Sequence, residues 1–372
     1  MKWALKIGQV AGIGIFVHWT FVLLIGWILF VHLADGQGVG AALEGVAFIL
    51  AIFGCVILHE LGHALTARRF GIRTRDITLL PIGGVARLER IPENPIQEFL
   101  VAIAGPAVNV VIALVLLVIV GAIKGFAEVA ELKIAEGNFL TRLLFVNVGL
   151  AVFNLIPAFP MDGGRILRAL LSPGMGHLRA TDTAASVAQF IAILFGILGL
   201  FSNGMLIFIA LFIYLGAQQE AQMTHVRAIL HGVPVRHAMM TRFRTVSAGD
   251  ALDTAVRQLL AGDQKDFPVL EDDALVGMLR GKTIIEASAE ADLSTRISDV
   301  MQRDCKVVED GAMLQEVFEQ MQGDGCSTLP VVQKGTLVGV VSLDNIGEWL
   351  MIQAARKAAG FSDDLSTRNR AT

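Results

Sequence analysis

The sequence predicts a polytopic α-helical membrane protein, with about six transmembrane helices and a membrane-surface β-hairpin, followed by a cytosolic tandem α/β module. Three observations carry this. Of 372 residues, 54% are hydrophobic and 17% charged, and the mean hydropathy is +0.62, well beyond the composition of a water-soluble domain. Apolar runs of about twenty residues, the length that crosses a bilayer, fill the first part of the chain and then stop. Beyond them the chain repeats itself at a spacing of 62 residues, with Val235/Ile297, Met239/Met301, Pro268/Pro330, Val269/Val331 and Gly277/Gly339 in register.

The elements follow in order. Lys2 and Lys6 precede an apolar run over 13–33 that is too long for a signal peptide and has no small-residue cleavage site after it, which predicts a retained first span. Further spans are predicted at 43–66, 97–123, 139–160, 184–201 and 204–219, the last two joined by the turn Ser202-Asn203-Gly204. Arg68, Arg69, Arg73, Arg75, Arg87 and Arg90 lie between the second and third spans, and Arg165, Arg168 and Arg179 between the fourth and fifth, whereas the opposite loops hold only Lys124 and Lys133. The positive-inside rule then makes the N-terminus cytoplasmic, and an even number of spans returns the C-terminus to the same side, as in a multi-pass protein of the cell (inner) membrane.

Between spans two and three, Thr74 to Glu89 is β-rich and interrupted by Pro81, Gly83 and Gly84, which predicts a hairpin at the membrane surface. The domains read as 1–220 for the membrane part, 221–233 for a polar linker, 234–296 and 297–355 for the two repeats, and 356–372 for a disordered tail. No strongly basic region suits nucleic acid. Cys55, Cys305 and Cys326 form no C-x-x-C pair and read as reduced thiols.

The second span ends in His59-Glu60-Leu61-Gly62-His63. Two histidines four apart share one helix face, at the spacing two imidazoles need to bind one Zn²⁺, with Glu60 beside them as a base for an attacking water. Ionisable groups inside an apolar span are costly, by about 2.5 kcal/mol or more for a charged one, and mark function. A zinc site of this kind needs a third ligand, and the fourth span ends in Asn154-x-x-Pro157-x-x-Pro160-x-Asp162-Gly163-Gly164. Asp162 is the candidate, one zinc per chain. The two prolines end or unwind the helix there, freeing backbone groups that a membrane tolerates only around a cavity. Gly105-Pro106 with Asn109 in the third span reads as close helix packing plus one interhelical amide contact.

The His59-Glu60-x-x-His63 and Asn154-x-x-Pro157-x-x-Pro160-x-Asp162-Gly163 motifs together resemble the site-2 protease family of intramembrane zinc metalloproteases, and the doubled tail resembles the CBS-domain pair of one bacterial and archaeal subgroup. The resemblance implies His59, His63 and Asp162 on zinc, Glu60 as catalytic base, and Asn154 positioning substrate or stabilising the oxyanion. It implies single-span transmembrane proteins as substrates, and a hairpin edge that aligns a substrate strand, against the alternative of a plain amphipathic hairpin.

CBS pairs commonly bind adenine nucleotides, but neither repeat supplies the usual Ser/Thr-x-x-Asp. Arg280 and Lys282 in the first and Ser342 and Asp344 in the second are the candidates for a nucleotide cleft, the alternative being a purely structural module that makes a homodimer. The competing class is a CBS-gated transporter or channel. It is disfavoured because the spans show no second buried ionisable residue besides Glu60 and no inverted repeat.

Overall fold

The structure, a computed structural model, describes residues 4–36, 38–81, 83–88, 94–124, 138–290 and 292–359. Two compact units divide at Thr224/His225. The expected disordered tail lies outside the described residues from position 360 on.

The first unit opens with strands β1 (Ala4–Val10) and β2 (Ile13–His18), helices α1 (Thr20–Ala34) and α2 (Gly38–Arg69), strands β3 (Thr74–Leu80) and β4 (Gly83–Leu88), and helix α3 (Pro95–Lys124). Helices α4 (Phe139–Asn154), α5 (Asp162–Met175), α6 (His177–Phe201) and α7 (Met205–Leu230) follow. Four of these, α2, α3, α6 and α7, are long and apolar enough to cross a membrane. Helices α1 and α4 have 15 and 16 residues, which at about 1.5 Å per residue fall short of a hydrocarbon core of about 30 Å. Local chemistry sets the ends. Asn94 precedes Pro95 and accepts the Ile96 amide at 2.9 Å, and Asn138 accepts the Thr141 amide at 3.0 Å, each satisfying a first-turn donor.

Three sequence expectations change here. The run 13–33 is not one helix: Ile13 to His18 forms a strand, and the helix starts at Thr20. Hydropathy alone cannot separate a buried strand from a helix in a short apolar run. The hairpin β3–β4 is therefore half of a four-stranded sheet, ordered β1-β2-β3-β4, in which β2 and β3 run parallel. Its inner face packs on α2, with Ile13 and Ile77 against Leu61 and Ala64; Leu79 joins Phe53 of α2 and Phe21 of α1, whose rings meet edge-on at 4.6 Å.

The polar linker expected at 221–233 is helical to Leu230, because Gln218 to Thr224 are polar without breaking a helix; Gly232, at φ 72°, and Pro234 end it. Finally, Asp162-Gly163-Gly164 starts helix α5, where the sequence reading places no element between the fourth and fifth spans. The glycines serve close approach, since a Cβ on Gly163 would meet the Ile156 carbonyl at 2.1 Å and one on Gly164 the Phe159 nitrogen at 2.6 Å. The turn 155–161 is in turn packed by Ala184, Ala188 and Ala192 of α6 and by Ile213 and Ala217 of α7, small residues that let helices approach.

The second unit shows the repeat directly. Strand β5 (Val246–Ser247), helix α8 (Leu252–Leu260), strands β6 (Phe267–Glu271) and β7 (Ala274–Leu279) and helix α9 (Gly281–Glu290) make the first copy. The short helix α10 (Ile297–Val300) leads into the second, with β8 (Val308–Glu309), α11 (Leu314–Asp324), β9 (Thr328–Gln333), β10 (Thr336–Ser342) and α12 (Leu343–Ala358). Each copy builds a three-stranded sheet, β5-β6-β7 and β10-β9-β8.

The copies exchange their leading segments. Leu230, Val235 and Ala238 are buried with Leu314, Met321 and Ile346 of the second, while Ile297 is buried with Phe267 and Leu279 of the first. Met240 bridges to Val340 and Gln302 to Met278, so each lead adds to the other copy's sheet. Gly339 and Gly277 make room for it, because a Cβ would meet Met239 sulfur at 2.8 Å and the Gln302 carbonyl at 2.7 Å respectively.

Leu314 is fully buried. Leu314→Ala is expected to destabilise this unit by about 2–5 kcal/mol, whereas Leu260→Ala, at an exposed site, should stay within about 0.5 kcal/mol. Hydrogen exchange of α11 and β9 in rising urea measures both.

Candidate metal centre

His59 and His63 stand one turn apart on α2, and Asp162 is the first residue of α5. All three are buried, at 7%, 6% and 8% exposure, and they are the one group among the described residues able to hold a metal ion. The sequence separates Asp162 from His63 by 99 positions. The fold closes that gap by packing α2 on α3 and α3 on α5.

The ligand atoms fit an ion. His59 Nε2 and His63 Nε2 are 3.1 Å apart, and each lies close to Asp162 Oδ2, at 3.2 and 3.1 Å. A tetrahedral zinc with bonds of about 2.0 Å places its ligand atoms about 3.3 Å apart. The far ring nitrogens fix the tautomers. His59 Nδ1 donates to Asn109 Oδ1 at 2.5 Å and His63 Nδ1 to the Val101 carbonyl at 2.7 Å, so each Nε2 is left with a lone pair facing the other two ligands. Room for the ion comes from α3. A Cβ on Gly105 would lie 2.2 Å from His63 Nε2 and 2.6 Å from His59 Nε2, inside the space both nitrogens face.

Glu60 stands outside this ligand set and faces β4: a Cβ on Gly84 would meet Glu60 Cγ at 2.8 Å and Oε1 at 3.3 Å. Gly84 therefore lets the sheet's outer strand pass directly over the carboxylate. Asn154 ends α4, and its amide nitrogen donates to the Leu150 carbonyl at 3.0 Å, so its side chain lies along its own helix.

One expectation is overturned. The sequence reading allows no second buried ionisable residue among the spans, yet Glu98 and Arg168 are 2% and 1% exposed. Arg168 Nε donates to Glu98 Oε1 at 2.7 Å, its Nη1 donates to Glu220 Oε1 at 2.7 Å, and its guanidinium lies 5.0 Å over the Phe159 ring. The partly exposed His177 has Nδ1 3.8 Å from Glu98 Oε2. This cluster joins α3, α5 and α7 and holds the helix that carries Asp162. Sequence reasoning missed it because Glu98 sits in a helix first turn and Arg168 in a stretch taken for a loop, where a charge reads as solvated. Asn109 reads in sequence as an interhelical amide contact, which it makes to Asn147 at 3.0 Å, and it is in addition the partner of a ligand.

In the second unit the four cleft candidates have partners. Arg280 Nη2 lies 3.2 Å from Cys326 Sγ, Lys282 pairs with Glu286 one turn on, and Asp344 pairs with Lys265 at 2.7 Å, which holds that ammonium above its usual range. Ser342 and Asn345 cap α12 reciprocally, with Ser342 Oγ donating to Asn345 Oδ1 at 2.7 Å and the Asn345 amide to Ser342 Oγ at 3.1 Å. Burial pushes the Cys305 thiol up, consistent with an unreactive cysteine.

Known proteins match along the chain. Peptidase family M50 matches residues 47–135 and 120–198, and the CBS domain matches 297–351. A zinc metalloprotease of Methanocaldococcus jannaschii is 33% identical over 347 residues, 93% of this chain and 96% of that one. Stage IV sporulation protein FB of Bacillus subtilis is 31% identical over 135 residues, 36% of this chain and 43% of that one. The solved site-2 protease from M. jannaschii is 37% identical, covering 59% of this chain and 95% of that chain, with a TM-score of 0.43.

The Gly105 cradle gives a direct test. Gly105→Ala is expected to weaken zinc binding about 10–100-fold, measured by chelator competition in detergent, while Gly54→Ala on α2, where a Cβ meets nothing within 4 Å, should bind as the parent does.

Proposed function

The chain belongs to peptidase family M50, that of the site-2 proteases, and from this premise we propose that it hydrolyses peptide bonds of single-span transmembrane proteins within the membrane, in regulated intramembrane proteolysis. The observation that carries this is the meeting of His59, His63 and Asp162 with Glu60 beside them. When bound, zinc supplies Lewis acidity and lowers the pKa of water.

The chain's own groups do the rest. His59, His63 and Asp162 hold the ion, and Glu60 takes the proton of the attacking water and passes it to the leaving amine. Asn154, once its amide turns from the Leu150 carbonyl, donates to the developing oxyanion. A helical substrate hides its carbonyls, so it must unwind locally. The outer edge of β4 supports the next step, because an extended segment added there would run past Gly84 and hence past Glu60.

The arginine-rich segments support six crossings of the cell (inner) membrane with both termini cytoplasmic, α1 and α4 being the short pair. Such helices are accommodated by local thinning of the bilayer. Arg168 is paired with both Glu98 and Glu220, so this cluster offers a transporter no unpaired cation. The CBS pair is proposed to bias access to the metal centre, with an adenine nucleotide or a homodimer contact as its input.

Two outcomes are expected. Glu60→Gln should keep one zinc per chain and lose cleavage by at least about 10²-fold, so that quantitative membrane proteomics of cells carrying the variant shows uncut single-span proteins accumulating; cleavage at the parent rate would falsify the assignment. Calorimetry of the full chain with AMP, ADP and ATP should give heat for at least one nucleotide at millimolar concentration, and binding that leaves the cleavage rate unchanged removes the regulatory role.

A further inference from the structure

We propose that Asn147, which touches no ligand atom, fixes the proton of His59 through Asn109 and so acts as a positioning residue for the metal centre. The inference rests on the zinc reading of the site. It starts from three hydrogen bonds in series across α2, α3 and α4. His59 Nδ1 meets Asn109 Oδ1 at 2.5 Å, Asn109 Nδ2 donates to Asn147 Oδ1 at 3.0 Å, and Asn147 Nδ2 donates to the Leu143 carbonyl at 2.9 Å. Asn147 Nδ2 also lies 3.4 Å from Cys55 Sγ. Both asparagines have no exposed surface, so water cannot replace any link.

A side-chain amide is ambiguous by itself, because turning it over exchanges its donor for its acceptor. Here each amide is oriented by the next. The Leu143 carbonyl can only accept, so Asn147 must aim Nδ2 at it and Oδ1 at Asn109. Facing that oxygen, Asn109 must offer Nδ2 and turn its own Oδ1 to His59. His59 then has to carry its proton on Nδ1, which leaves Nε2 bare toward His63 and Asp162. Turned over, Asn109 would aim a donor at Nδ1 and push the proton to Nε2, where it blocks an ion. His63 reaches the same state in one step, because its Nδ1 meets the main-chain carbonyl of Val101 directly at 2.7 Å. Both ligands are thus referred to a backbone carbonyl, one directly and one through two amides.

The test separates orientation from packing. Zinc affinity is measured by chelator competition on the full chain in detergent, with thermal unfolding of the metal-free protein as the folding control. Asn109→Leu is expected to weaken zinc binding about 10–100-fold and Asn147→Leu about tenfold. Asn109→Asp, when ionised, offers only acceptors, so it keeps the bond from His59 Nδ1 without needing Asn147 to orient it, although its second oxygen then faces Asn147 Oδ1. In that background Asn147→Leu should cause no further loss, since nothing remains to be oriented. An equal loss from Asn147→Leu in both backgrounds makes it a packing residue and overturns the inference, as does parental affinity in Asn147→Leu alone. If the leucine variant does not purify folded, Asn147→Ala is measured in the same two backgrounds. A parent chain that binds no zinc removes the metal reading itself, whereas a zinc-binding parent with an indifferent Asn147 removes only the relay.

Discussion

Two imidazole lone pairs and a carboxylate, aimed at one another at 3.1–3.2 Å inside an apolar helix bundle, repel unless a cation sits among them. Such a cluster does not form by collapse. It has to be imposed by elements stiff enough to hold it, and the N-terminal unit is organised around that need. Helix α2 supplies two ligands at fixed spacing, α3 closes over them where Gly105 lacks a side chain, and α5 brings the carboxylate. The sheet buries its inner face on the same stretch of α2 that carries the histidines, so that α2 is supported from two sides.

Holding α5 in place takes a second set of charges. Removing one partner of a buried ion pair costs about 3–5 kcal/mol, and Arg168 has two acidic partners and an aromatic face. The arrangement is a poor source of net stability, because Arg168 and Glu98 are taken from water, and Glu220 in part, to make it. Its value lies in direction, since guanidinium geometry fixes α5 against α3 and α7 at once. Asp162 then stands at the free end of a helix that cannot turn.

How much of this was legible in the sequence follows from what each residue type announces. His59, Glu60 and His63 were legible because helix periodicity alone brings positions four apart together, and the chance of three ionisable groups in an apolar run is low. Asp162 was legible only in their company, since Asp-Gly-Gly by itself reads as a turn. The strand over Ile13 to His18 was hidden because Ile13 to Val17 holds no polar side chain and runs on into an apolar helix, which erases the difference between a period of two and one of 3.6. Arg168 and Glu98 were hidden for the opposite reason: a charge in a polar stretch carries no sign of the burial that packing later gives it. The repeat at 62 residues was plain, but periodicity says which segments are equivalent and is silent about which copy each one packs against.

That exchange of leading segments bears on the order in which the chain can fold as it is made. Residues 230–240 leave the ribosome early, yet their burial partners include Ile346, and Met240 waits for Val340 near the far end of the second copy. The first copy is incomplete in the same way until Ile297 arrives. A nascent chain paused between the copies therefore exposes Leu230 and Val235 with nothing to cover them, a sticky surface that invites chaperones or aggregation. A stop between Met301 and Ile346 would leave the first copy's core filled yet strand the segment 230–240 without its partners, so the two copies do not tolerate truncation equally.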